Sequence, residues 1–142
     1  RSVSSGTGIG TTNTTYAAGT RIDNGTPTLK CTNNNDKFTK STTIGNGKLS
    51  KMIGLITSDE VMYAGGTGSN NEEYYLYSGA WYWTMTPYSY ASGSAYVYDV
   101  SNDGFLNGYH VYSTFAVRPV VSLKSDAISG GSGTAASPFF VG

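Results

Sequence analysis

Ile53-Gly54-Leu55-Ile56-Thr57-Ser58-Asp59-Glu60-Val61-Met62-Tyr63-Ala64-Gly65-Gly66 is the stretch on which the fold turns. Thr57 and Glu60 have the spacing of a capping box. In that motif the threonine hydroxyl accepts from the third helical amide and the glutamate reaches back to the cap. Asp59 and Glu60 also place negative charge in the first turn, where the helix dipole favours it. Val61, Met62 and Ala64 supply a packing side, and Gly65-Gly66 stops the helix. The reading predicts a helix over 57–65, entered from a short buried strand at 53–56.

Downstream the period changes from helical to alternating. Trp81, Trp83 and Met85 alternate with Tyr82 and Thr84, the signature of a strand. One of the two tryptophans is expected to face inward, against the 57–65 helix or a 116–123 strand. Residues 95–100 predict a second strand, which Ser101-Asn102-Asp103-Gly104 turns into Phe105-Leu106 as a hairpin. Residues 116–123 predict a third, with Pro119 marking an edge or a bulge. Residues 125–138 read as loop, and Phe139-Phe140-Val141 as a return to a sheet edge. Upstream, residues 1–51 are polar and rich in glycine and threonine. Short apolar islands at 28–31, 37–39 and 48–49 are bounded by the turn signals Asn24-Gly25, Asn33-Asn34-Asn35-Asp36 and Gly45-Asn46-Gly47. They predict short strands and loops packed onto the rest. The whole chain, 1–142, reads as a single α+β domain, with 1–51 as its loop-rich first part and 52–142 carrying the helix, the strands and the binding face.

Composition narrows the functional classes. Charged residues are 13% of the chain and the formal net charge is zero, against about 25% charged residues in an average soluble domain. There is no basic stripe for a nucleic acid and no apolar run long enough to span a bilayer. Serine, threonine, asparagine and glycine do the solvating, which suits an extracellular protein. The chain starts at Arg1 without a methionine, as a mature or cut fragment with any signal or anchor upstream would. Cys31 is the single cysteine. It is either a small buried hydrophobe or half of a disulfide whose other cysteine precedes Arg1.

Three segments resemble one family in its own order. Residues 55–66 resemble the Leu-x-Thr-x-x-Glu-x-x-x-Ala helix of formylglycine-generating-enzyme-like domains, a branch of the C-type-lectin fold. Trp83-Thr84-Met85-Thr86-Pro87 resembles their tryptophan strand, and Ala116-Val117-Arg118-Pro119 their closing Gly-Val-Arg-Pro strand. The stretch from Trp83 to Val120, with residues 1–16 and 26–31, is similar to the C-terminal domains of prepilin-like surface proteins of gut Firmicutes. There a cysteine commonly lies just before the stretch matching Arg1, which favours the disulfide reading of Cys31. The same fold carries the variable domains made by diversity-generating retroelements. The resemblance implies a C-type-lectin-like fold of short twisted antiparallel strands with one or two short helices.

It does not bring the family's chemistry with it. The formylglycine enzymes use cysteines, and no cysteine follows Cys31. His110 is the only histidine and reads as an exposed loop residue, because no serine near it stands in a nucleophile-elbow context. No carboxylate pair is singled out for glycoside hydrolysis. The oxygen-rich runs at 33–36 and 102–104 lack the order of an EF-hand loop, and the Glu-Pro-Asn loop of calcium-dependent lectins is missing. No catalytic centre, cofactor or sugar-binding calcium site is expected, and a structural calcium ion is left open.

What remains is tyrosine among small polar residues, the composition of antibody combining loops. From 87 to 116 the chain has no lysine, glutamate, methionine or tryptophan. Adenine-directed mutation of an AAY codon can yield Tyr, Ser, Asp, His, Phe, Gly or Thr, and none of those four. Tyr96 and Tyr98 read as cross-strand packing, while Leu106, Val111 and Val117 read as core pins. The candidate ligand-binding residues are Tyr88, Tyr90, Ser101, Phe105, Asn107, Tyr109, His110, Tyr112, Ser113, Thr114 and Phe115. Of these, Phe105, Tyr109, His110, Tyr112 and Phe115 are expected on one exposed face. The expected function is a bacterial or phage-encoded display module at the cell surface. Its partner would be a protein or glycan on another cell, or a phage receptor. The competing expectation is a structural subunit or tip of a pilus-like filament.

Overall fold

A computed structural model describes residues 13–31, 37–41, 43 and 49–142. The turn expectations at 33–36 and 45–47 lie outside them. Helix α2 spans Ser58–Tyr63 and carries the capping box as read: the Glu60 amide donates to Thr57 Oγ1 (3.2 Å) and the Thr57 amide to Glu60 Oε2 (2.7 Å). Gly65 ends it with φ 104°. Gly66 must be glycine, because a Cβ there would lie 2.5 Å from the Cγ1 of fully buried Val61. The preceding strand exists as β2, Ile53–Leu55, but only Ile56 beyond its end is buried.

The main sheet is antiparallel, in the order β1-β3-β4-β5, with β1 Thr14–Thr15, β3 Tyr82–Ala91, β4 Ser94–Val100 and β5 Leu106–His110. Ser92-Gly93 closes the first hairpin with positive φ at both residues (50° and 81°), the geometry that matches strand twist. The 101–104 turn closes the second. Gly104 takes φ 78°, the Phe105 amide donates to Ser101 Oγ (3.0 Å), and the same hydroxyl donates to Asp103. Register shifts on either side of Pro87 bend β3.

The alternation along β3 is as predicted, but the buried face is the opposite one. Tyr82, Thr84 and Thr86 are buried, and Trp81, Trp83 and Met85 are half-buried on the other side. Threonine can go inside because its hydroxyl is used. Thr84 Oγ1 donates to the Tyr98 carbonyl (2.7 Å), and Thr86 Oγ1 accepts from the Ser58 amide (2.9 Å), tying α2 to β3. Tyr82, Tyr98, Val100 and Leu106 form the core with Ala18, Ile56, Val61 and Tyr74.

The first third is not only strand and loop. Ala17–Asp23 is a helix, α1. Its Arg21 makes a two-pronged bond to Asp59 of α2, Nε to Oδ1 and Nη2 to Oδ2, both 2.7 Å, while the Thr28 amide donates to Oδ1 (2.9 Å). The island at 28–31 is irregular and Cys31 is exposed. With one cysteine, these 142 residues hold no disulfide of their own.

The third predicted strand is shorter than read. Among the described residues strand β6, Pro119–Val121, pairs only with β2, so Pro119 does lie in an edge pair. Val117 is 64% exposed and Val111 is exposed too, so neither pins the core. Arg118 instead lays its guanidinium over the Tyr82 ring (4.7 Å) and donates to the Leu76 carbonyl (2.6 Å). The tail is not all loop: a 3-10 turn (Ser125–Ala127) leads into β7, Ile128–Gly130, which pairs with β8, Phe140–Val141. Those last residues therefore form a hairpin of their own and do not join the main sheet. Among the described residues the fold is thus α+β, mostly antiparallel and loop-rich, with two short helices, and no helix is long and apolar enough to cross a membrane.

Candidate functional site

Strand β5 is the outermost strand of the main sheet, and rings wrap around it. On the face away from the core, Phe115 sits against Trp81 (5.0 Å between centroids) and Trp83 (4.5 Å), and Tyr109 meets Trp81 edge-on at 5.8 Å and Phe115 at 5.2 Å. The belt passes around β5 from Tyr109 to His110 (6.1 Å). His110 lies between Tyr96 (4.3 Å) and Tyr112 (4.7 Å), and Tyr96 continues to Tyr88 (6.3 Å). Tyr112 is 76% exposed and Tyr109 and Tyr88 are exposed as well. Ring pairs of this kind hold each other in place and leave flat apolar area facing water.

Of the residues expected on one exposed face, Tyr109, His110, Tyr112 and Phe115 are joined ring to ring, but around the strand and not on one face: Tyr109 and His110 leave β5 on opposite sides, and His110 and Phe115 are half-buried. Phe105 is at the other end of β5, bridged to Thr67. Ser101 is buried and spends its hydroxyl on the 101–104 turn, so it cannot meet a ligand. That corrects its place among the candidates. Asn107 is half-buried opposite Asp99. Ser113 and Thr114 form the bend that returns the chain to Phe115, closed by the Ser113 amide donating to the His110 carbonyl (3.0 Å). Tyr90 lies outside the belt; with Tyr88, the far end of the belt, it lines a shallow groove of about 360 Å³ between β1, β3 and α1. His110 is not a loop residue: it ends β5 between two tyrosines, and its buried Nδ1 has no hydrogen-bond partner among the described residues.

Residues outside the candidate set complete the site. Trp81 and Trp83 supply its floor, and the alternation that identified their strand was the signal for them. Tyr88 lies flat on Gly108, where a Cβ would come within 2.3 Å of the ring. Asp99 is the remaining addition. It is fully buried, and among the described residues neither carboxylate oxygen has a hydrogen-bond partner. Burial alone pushes its pKa up, to about 7, against which its own amide is a minor pull. Nothing in the sequence distinguishes it from an ordinary strand aspartate.

A family model described as a domain of unknown function, DUF6273, matches residues 28–125. No curated protein and no solved structure matches the chain.

Proposed function

The chain belongs to the DUF6273 family of domains of unknown function, and from that premise we propose that it is an extracellular display module of C-type-lectin-like fold that binds a protein or glycan through its aromatic belt. The observation that carries this is the continuity of the rings around β5, ending in the exposed Tyr112. Contiguous exposed aromatic area is what partners bury, and tyrosines are frequent hot spots. Stacking fixes the rings before any ligand arrives, so little side-chain entropy is lost on binding. The concentration of changeable residue types between 87 and 116 fits a surface diversified by a retroelement, and the low charge fits a cell-surface or phage-borne location.

Intact bacterial and epithelial cells, together with a glycan array, supply the test. The labelled domain should bind saturably, and replacing Tyr109 and Tyr112 together with serine should abolish that binding. The double variant should stay folded, losing about 1–2 kcal/mol because Tyr109 gives up its contacts with Trp81 and Phe115. Undiminished binding would sink the reading. Self-association that the same double variant abolishes would assign the tyrosines to subunit contacts of a filament instead.

A further inference from the structure

The face of the sheet that carries Asp99 is closed over it. In register, Trp83 on β3 and Asn107 on β5 flank Asp99, and Val97 with Tyr109 forms the next pair along, so all of these side chains leave the sheet on the same side. Strands β3 and β5 stand about 10 Å apart with β4 between them. Trp81, at the head of β3, nevertheless meets Tyr109 of β5 at 5.8 Å between centroids, and Phe115 touches both. The rings therefore span β4 above Asp99. An unpartnered carboxylate lies under a roof of aromatic faces, with an asparagine at its side.

We infer that Asp99 and the rings of Trp81, Trp83, Tyr109 and Phe115 form a closed binding site for an alkylammonium group, entered by displacement of the Phe115 side chain. A carboxylate withdrawn from water without a counter-charge is costly to leave alone. Aromatic faces attract organic cations in the absence of water. An ammonium carries three N–H donors and a guanidinium five. The two Asp99 oxygens and the amide oxygen that Asn107 brings to this face match three. A metal ion fits poorly, because no group of three His, Cys, Asp or Glu side chains is gathered among the described residues. Phe115 is the movable part. It belongs to the irregular connection between β5 and β6, whereas the next residue is pinned by the Trp83 amide donating to the Ala116 carbonyl and the Ala116 amide to the Trp81 carbonyl, both 3.1 Å. Rotation of one side chain opens the roof without breaking a strand.

The site deepens the binding reading given above and shares two of its rings, Tyr109 and Phe115, while Tyr112 lies outside it. The ammonium can come from a small free amine or from a lysine side chain of a partner. Titration of the domain with n-butylammonium chloride and with a lysine peptide whose N-terminus is acetylated and whose side-chain ammonium is free, followed by tryptophan fluorescence and calorimetry, tests it, with n-butanol as the neutral control. Saturable binding of the free amine marks a small-molecule site. Saturable binding of the peptide alone marks a partner's lysine, and either result supports the proposal. On this face Trp83 of β3 and Asn107 of β5 stand beside Asp99, Val97 and Tyr109 come next along, and Trp81 and Phe115 cover them; none is a carboxylate, lysine, arginine or histidine. Affinity should therefore follow ionisation of Asp99 alone and rise about tenfold from about pH 6 to about pH 8. Asp99→Asn should abolish binding and Phe115→Ala should speed it, while Tyr75→Ser, at an exposed tyrosine outside the belt, should leave it unchanged. Failure of both probes to saturate at about pH 8 would overturn the site, as would undiminished binding by a folded Asp99→Asn variant. Should Asp99→Asn not fold, an affinity that does not change with pH in the native protein overturns it equally. Loss of cell binding in the Tyr109/Tyr112 variant with no amine binding by the native domain would leave the display reading standing and remove only this site.

Discussion

Asp59 and Asp99 are almost equally withdrawn from water, 4% and 0% exposed, yet the molecule treats them in opposite ways. Asp59, between the two helices, takes both prongs of Arg21 and the Thr28 amide. Burial pushes its pKa up, but these bonds outweigh burial and hold the carboxyl below its ordinary range. Asp99, under the rings, has no such bonds, and burial takes it to about 7. One carboxylate joins two segments of the fold. The other is a charge that the fold leaves open.

The difference can be broken by pH and substitution. For Asp99 the native form binds its proton more tightly than the unfolded chain. Its ionisation therefore costs nothing below about pH 4, and stability falls as pH rises toward about 7. The gap between 3.8 and about 7 corresponds to about 4 kcal/mol. Asp99→Asn should thus stabilise the protein at about pH 8 by up to that amount, and should matter little at about pH 4. Urea midpoints of the two proteins across that range decide it. A native midpoint that does not fall between about pH 5 and pH 8 would show that Asp99 is not desolvated as described.

Asp59 has the opposite sign. Its stabilisation is present above the ordinary carboxylate pKa and is lost as pH falls through the depressed value. Asp59→Ala should cost about 3 kcal/mol at neutral pH, less than a wholly buried pair because Arg21 is partly exposed. Equal denaturation midpoints for variant and wild type would mean that the α1–α2 junction contributes no stability. The smallest expected effect belongs to the cap beside it. Thr57→Ala should cost about 1 kcal/mol, and a shift much larger than that in chemical denaturation would show that Thr57 does more than start a helix.

The helix α2 was legible in the sequence because its cap is local: Thr57 and Glu60 recognise each other within one turn. The hairpin turn at 101–104 was legible for the same reason, whereas the turn at Ser92-Gly93 was not singled out. Helix α1 was not legible. It is seven residues long, contains Gly19, and has no side-chain cap. Its reason to exist is Asp59, 38 residues away from Arg21. The alternation of β3 was readable and its sidedness was not. Hydroxyls on Thr84 and Thr86 look solvated until the Tyr98 carbonyl and the Ser58 amide are seen to use them. For the candidate site, tyrosine density led to five of the joined rings, Tyr88, Tyr109, His110, Tyr112 and Phe115. Asp99 stayed hidden because an orphaned carboxylate is defined by what fails to reach it.

Gly108 sets a rule for change in this part of the molecule. Tyr88 occupies the space where its side chain would be, with the near ring atoms 2.3–2.7 Å from where a Cβ would stand. Tyr88 is free to shrink, since removing the ring leaves glycine unharmed. Gly108 is not free to grow while the ring remains. The order of events in any lineage is then constrained: position 88 gives up its aromatic first, or both change together. Relatives with a side chain at the position of Gly108 should lack a ring at that of Tyr88, a dependence that a library randomising both sites would show in its survivors.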